Sequence, residues 1–491
     1  MNGIYILIIL LIYFGILLTV SKLTAHKGDN DTFFRGNHQS RWYLVAFGMI
    51  GASLSGVSFV SVPGWVGKTD MTYIQMVFGF FFGYLIVAYV LLPLYYRLHL
   101  TSIYTYLDKR FGRQSYKTGA SFFLLSRMAG TAAKQFLVCM ILQKYVFEQF
   151  HVPFLFTVCF MQLLIWLYTR KGGIRTIVWT DTLQTFCLIA SLCLIFFQAG
   201  SLMHLDLGEM WHTIQQSPHS RIFVLDDWSS PQHFLKQFVS GIFIVIVMTG
   251  LDQDMMQKNL TCRNLHESQK NMCCYGLAFI PINFIFLGLG ILLIAFSAYK
   301  GIPLPSSGDD ILPTLCTDGS LGFPVLVLFT IGIIAAAFAN VDSALAAMTT
   351  SFCIDILGIE RTDSRFSHRP ETIRKRVHLG TTLIFIFFIL LFKIFNHTNL
   401  IDAVYIIASY TYGPLLGLFA FGLTNRLKVR DKFTPYIAIA APVLCYLLEY
   451  SVKNCFNYKF GYELLIINGL LMYIGLWCFS YKENKKNKIL K

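Results

Sequence analysis

Four ionisable side chains interrupt long apolar runs of this 491-residue chain. Arg127 and Lys134 lie in SFFLLSRMAGTAAKQFLVCM, Asp181 in GGIRTIVWTDTLQTFCLIASLCLIFF, and Asp342 in IGIIAAAFANVDSALAAMTTSF. A charge at the middle of a bilayer costs at least about 2.5–3.5 kcal/mol, so each of the four needs a partner or a task. Arg127 and Lys134 are seven residues apart, which puts them on one face of a helix. They serve either as counter-ions for the two aspartates or as solute ligands, with Arg127 forking onto a carboxylate through its planar guanidinium. Asn340, Asp342 and Ser343 set oxygens on or beside a stripe of small residues. A hard cation such as Na⁺ takes oxygen ligands of this kind, and the free carbonyls of a neighbouring broken helix would complete a cage. Asp181, about two turns inside its run, raises the same question.

The remaining chemistry-bearing residues narrow the choice. All twelve histidines fall in predicted loops or at helix ends, which removes the side chain best suited to proton exchange near neutral pH. A carboxylate could still carry protons. The same placement removes the usual partner for acyl transfer or hydrolysis inside the membrane, so the chain does not read as an enzyme. The sequence contains no phosphate-binding loop and no zinc spacing, which leaves Na⁺ as the only metal expected, with no transition metal and no other cofactor. The twelve cysteines contain no C-x-x-C pair and read as inert thiols; Cys316 and Cys455, both in predicted outer loops, are the two that could bridge.

The elements that must hold these residues are membrane helices. The chain is 55% hydrophobic and 13% charged, too little charge to cover a soluble protein of this length. Apolar runs of bilayer-crossing length recur from end to end. They predict an all-α polytopic protein with about thirteen spans, near 3–24, 43–67, 71–96, 118–143, 153–169, 176–202, 236–257, 271–299, 322–357, 378–396, 399–425, 433–452 and 461–480. With the N-terminus outside, thirty of the forty Lys and Arg face the cytoplasm. The +14 net charge therefore reports N-out, C-in topology in a cell (plasma or inner) membrane and gives no reason to invoke nucleic acid. No basic stretch precedes the first run, which reads as a retained span. The basic tail 482–491 reads as a solvated cytoplasmic end, with contact to anionic membrane lipid as the weaker alternative, and no obligatory protein partner is evident.

Two spans are not plain helices. FGMIGASLSGVSFVSVPGWVG (47–67) holds five glycines, Pro63 and serines 53, 55, 58 and 61, and VMTGLDQDMMQKNL (247–260) runs from Thr249–Gly250 into a polar cluster. Broken backbone at membrane depth is tolerated where it is buried in protein or lines a cavity, and paired breaks in two halves of a transporter point to its binding site. With the first span set aside, these are helices 1 and 6 of a five-plus-five inverted repeat. Small residues that merely let helices pack closely are the competing explanation. The candidate solute contacts on these and neighbouring helices are Ser53, Ser55, Ser58, Arg127, Lys134 and Tyr410.

Taken together, these residues resemble the sodium:solute symporter family. Gly172, Gly173, Trp179, Thr180, Asp181 and Gln184 resemble its Gly-Gly…Trp-Thr-Asp…Gln motif. Asp252, Gln253 and Gln257 resemble its Asp-Gln…Gln-Arg motif, with Lys258 in place of the arginine, and Tyr412-Gly413-Pro414-Leu415-Leu416-Gly417 resembles its helix 10 signature. The resemblance implies inward Na⁺-coupled symport of a small polar solute, a sugar, organic acid or amino-acid-like molecule. A proton-coupled symporter and a transporter-like membrane sensor are the alternatives. It implies a ten-helix transport core at 35–430, an extra helix and loop at 1–34, two further helices at 431–481 and the tail at 482–491. It also implies a first cation site at Gly51, Leu54, Ala336, Ala339 and Asn340, where both usual hydroxyls are replaced, by Ala339 and by an amide at Asn340. A second site would comprise Asp181, Asp342 and Ser343, and with two carboxylates it is expected to carry the coupling more than the first does.

Overall fold

The computed structural model describes residues 3–24, 30–36, 39–359, 369–395, 400–458 and 460–482. Residues 360–368, in the predicted loop between the 322–357 and 378–396 spans, and all but the first residue of the basic tail lie outside the described residues, as does Lys459. The described chain is helical almost throughout: Gly3–Thr24 (α1), Trp42–Ser53 (α2), Gly56–Thr69 (α3), Tyr73–Ile86 (α4), Arg113–Leu142 (α5), Phe154–Leu202 (α6), Phe234–Val245 (α7), Gln253–Asn259 (α8), Leu265–Lys300 (α9), Phe323–Ser351 (α10), Pro370–Phe395 (α11), Leu400–Thr424 (α12), Thr434–Phe456 (α13) and Leu464–Cys478 (α14). Shorter helical turns, among them Leu207–Gln216, join them.

Eight helices are long and apolar enough to cross a membrane, or ten if each bent pair forms one span. Phe154–Arg170 and α14 are apolar but shorter, and α5, which carries Arg127 and Lys134, is not among the ten.

The two bends fall where the sequence placed them, 59° between α2 and α3 and 69° between the Phe234–Gly250 segment and α8. The first has a local cause. Leu54 leaves helical geometry (φ −77°, ψ 86°), and the Ser55 N–H turns to the Ser53 carbonyl instead of reaching back to Gly51. The second break is capped from outside. Tyr95 and Tyr104 donate to the carbonyls of Gly250 and Leu251 at 2.8 Å each, and Asp252 Oδ1 accepts from the N–H groups of Asp254 and Met255 at the start of α8. Such capping leaves little of this backbone unsatisfied at membrane depth.

The 49-residue α6 is two helices merged across a kink at Gly173, whose φ of 51° strongly favours glycine. A side chain there would also collide with Phe33, which approaches an added Cβ to 2.5 Å. The Gly-Gly motif therefore separates two spans and seats the Asn30–Arg35 turn between them. The second half of α6 packs along α2 and α10, which brings Asp181, the first break and Asp342 into one neighbourhood.

Two expectations need correction. Lys258, predicted in a cytoplasmic loop, is buried near the end of α8. His378, predicted at a helix end, is buried two turns into α11, with its ring nitrogens 3.0 Å from the hydroxyls of Thr169 and Thr349. Each of the twelve cysteines is a free thiol; Cys316 is buried and Cys455 exposed, and the two are not bridged.

Candidate cation and solute site

A chain of buried charges runs between the two breaks. On α5, Arg127 forms an ion pair with Asp254 and sits 3.6 Å from Asp252 Oδ2. On α8, the Lys258 ammonium lies 2.7 Å from Asp181 Oδ2 and 3.8 Å from Asp254 Oδ1. The side chains of all five residues are at most 5% exposed. Tyr412 adds a hydrogen bond to Asp252, and Gln184, with its amide nitrogen turned to donate, reaches Asp181 Oδ1 at 3.2 Å. Arg127 is therefore the counter-ion of Asp252 and Asp254, not of Asp181 and Asp342 as one reading of the sequence had it. Asp181 has its own cation in Lys258. The reason is geometric: α8 is short and bent inward at Asp252, which carries Asp254 and Lys258 at spacing i, i+4 into the core.

The three residues of the expected second site are already engaged by protein groups. Asp342 accepts from the Tyr168 hydroxyl (2.7 Å) and from the Ser343 N–H (2.6 Å), and the Ser343 hydroxyl donates to Asp254 Oδ1 (2.8 Å). Asp342 stands within electrostatic range of Asp181 and Lys258. The positive charge in contact with this group is the Lys258 ammonium, paired with Asp181.

The first site is arranged differently. The Asn340 amide nitrogen donates to the Ala52 carbonyl at 2.9 Å, tying α10 to the broken helix one residue from Gly51. Its Oδ1 is buried with no hydrogen-bond partner among the described residues. An acceptor left in that state costs about 1–3 kcal/mol, so it needs a partner, an ordered water or an ion. Gly51 packs so tightly on α6 that an added Cβ would lie 2.0 Å from Thr185 Oγ1. Leu54, Ala336 and Ala339 are buried beside this break and bring only backbone oxygens. The donor set fits one cation built on Asn340 Oδ1 and carbonyls of the break.

Next to this break lies a cavity of about 90 Å³, whose lining includes Ser53, Ser55, Ser58, Arg127 and Lys134. That is well above the ~10–15 Å³ a cavity needs to admit a single water, so the space is open to solvent or to a small polar group. Lys134 is the unpaired member: no carboxylate lies within ion-pair distance of it among the described residues, and Asp252 and Asp254 act on it only at longer range. Tyr410 does not line the cavity; its hydroxyl pairs with Glu449 on α13. Tyr405, further back on α12, lines it instead and lies 3.1 Å from the Tyr73 hydroxyl.

Most of the motif residues hold the scaffold. Gln253 clamps the backbone at Thr101 and Ile103, and Gln257 donates to the Phe34 carbonyl and the Thr350 hydroxyl. Thr180 bonds back to its own helix, Trp179 faces outward at 47% exposure, and Gly413, one residue before Pro414, lets α12 close on Asn468.

The sequence reading missed Asp254, Tyr275 and Tyr405 and took Lys258 only as the motif's replacement for arginine. The Asp254-x-x-x-Lys258 spacing after a helix break was a usable signal for that pair. Nothing in the sequence tied Tyr275 to its hydrogen-bond partners Ser53 and Tyr84.

The sodium:solute symporter family model matches residues 33–429. The chain is 23% identical over 481 residues to the sodium/sialic acid symporter NanT of Aliivibrio fischeri, covering 94% of this chain and 92% of that one. It is 23% identical over 405 residues to the mouse sodium-coupled monocarboxylate transporter 1, covering 80% and 64%. Its fold matches a solved Na⁺-coupled sialic acid symporter in a substrate-bound outward-open state with a TM-score of 0.81 at 19% identity, over 97% of this chain and 99% of that one. Matched by the family model over most of its length and sharing its fold nearly end to end with a solved symporter, the chain belongs to the sodium:solute symporter family, whose members are Na⁺-coupled secondary transporters of small solutes.

Proposed function

We propose that the protein carries a small, polar, anionic solute into the cell with Na⁺ by alternating access, lying N-out and C-in across the cell membrane. Lys134 carries the reading of the solute's charge. Its ammonium borders the cavity without a carboxylate partner, whereas Arg127 beside it is committed to Asp252 and Asp254. An uncompensated ammonium at membrane depth is costly, and a solute carboxylate removes that cost on binding. Ser53, Ser55 and Ser58 supply further polar contacts from the cavity lining. Sialic acid and monocarboxylates, the cargoes named for the two relatives above, are acids of this kind.

The coupling Na⁺ binds at the first site, on Asn340 Oδ1 and carbonyls of the α2–α3 break. Its position beside the cavity lets one rearrangement of the broken helix sense both ion and solute. Residues 35–430 form the transport core, with 1–34 and 431–481 as accessory helices.

The test is uptake into proteoliposomes driven by an imposed Na⁺ gradient, with acids and their neutral amides as competing solutes. Acids are expected to win, and Lys134→Gln is expected to raise the KM for the acid by ~10–100-fold, the value of a charged hydrogen bond of about 1.5–3 kcal/mol. Equal competition by the amides, or an unchanged KM in K134Q, would refute an anionic solute.

A further inference from the structure

The second cation site that the family resemblance implies and the residues found there disagree. Asp181 is in ion-pair contact with Lys258 at 2.7 Å, in a position where the side chains are 0% and 2% exposed. Lys258 also faces Asp254 at 3.8 Å, and Asp254 in turn holds the Ser343 hydroxyl that a second-site cation would need. Asp342 has both carboxylate oxygens on protein donors. Asp181 thus faces an ammonium, Ser343 faces a carboxylate beside that ammonium, and Asp342 is taken up by a tyrosine hydroxyl and a backbone N–H.

We propose that Lys258 is a tethered cation: its ammonium takes the place that an exchangeable Na⁺ would occupy between Asp181 and the 342–343 turn, leaving the first site as the only one coupled to the sodium gradient. This rests on the proposed Na⁺ coupling and adds to it the number and location of the ions. A lysine suits the role in a way arginine does not. An ammonium is a compact point charge with three donors, whereas a guanidinium is a flat fork that spreads its charge and contacts two oxygens in one plane. The tethered charge stabilises Asp181 as a bound ion would. It cannot cross the membrane, so it adds nothing to the driving force. The protein accordingly couples each solute to fewer ions than a relative with two exchangeable sites.

The experiment measures ²²Na⁺ binding to the purified, solute-free protein over competing K⁺, with no transport required. Asp181→Asn is expected to bind Na⁺ with an affinity within threefold of the unaltered protein. Lys258→Met is expected to gain a second saturable component, and the double variant Lys258→Met/Asp181→Asn to lose it again. A loss of threefold or more in Na⁺ affinity in D181N makes Asp181 a sodium ligand and overturns the proposal. So does a folded K258M that gains no component. If K258M does not fold, D181N alone decides. The proposed Na⁺ coupling fails separately: unaltered protein that binds no Na⁺ sinks that reading, while a K258M that then acquires Na⁺ binding still supports the tethered cation.

Discussion

Arg127 offers the sharpest test of how the buried charges are used, because the sequence allows two roles and the structure favours one. Its guanidinium pairs with Asp254 and lies 3.6 Å from Asp252, and both carboxylates are fully buried. At an effective dielectric constant of 20, a single pair at that separation is worth about 5 kcal/mol of attraction, part of which desolvation takes back. Removing one partner is a different matter, since it strands charge: breaking a buried pair costs about 3–5 kcal/mol. Arg127→Met leaves two aspartates facing each other with one cation, Lys258, within reach of Asp254. The expected result is a loss of about 3–5 kcal/mol in reversible denaturant unfolding in detergent. Arg127→Met/Asp254→Asn should recover part of that loss, because the second change removes one stranded charge. Solute binding by whatever folded R127M is recovered should change little. If R127M keeps its stability within ~0.5 kcal/mol and instead weakens solute binding tenfold or more, Arg127 is a solute ligand and the ion-pair argument is wrong.

Other outcomes are fixed by single contacts. Asn340→Ala removes the unpartnered amide oxygen at the first site and should weaken Na⁺ binding by about tenfold, the equivalent of ~1.4 kcal/mol; an unaltered Na⁺ titration would place the ion elsewhere. Gly173→Ala forces a side chain into a left-handed conformation and against the Phe33 ring, and should cost at least ~1–2 kcal/mol, read as a lower melting temperature in detergent; a variant as stable as the parent would mean that the kink is not what the glycine is for.

The breaks were legible because their causes are local. Gly51, Gly56 and Pro63 weaken the first broken span along its own length, and Gly250 followed by Asp252 ends one helix and caps the next within three residues. Asp181 was legible as anomalous, since a carboxylate in an apolar run is expensive wherever its partner lies. Its partner was not legible. Lys258 follows a polar cluster and reads as the first residue of a loop, and only the inward bend of α8 turns it into the core. Tyr410 failed for a related reason: helical periodicity gives its angle relative to Tyr412, but not which neighbour each face meets.

By itself, then, the sequence determined the class of protein, the positions of the two interruptions and the family, through apolar length, backbone-breaking residues and motif spacing. All of these are properties of short stretches read in order. The partners of the buried charges were decided by tertiary structure alone. Arg127 with Asp254, Lys258 with Asp181 and Tyr168 with Asp342 join residues 77 to 174 positions apart. Which carboxylate receives a protein cation, and which buried acceptor is left without a protein partner, depends on how packed helices are rotated about their own axes. That rotation is set by contacts such as Gly51 on Thr185, where absent side chains let two helices close.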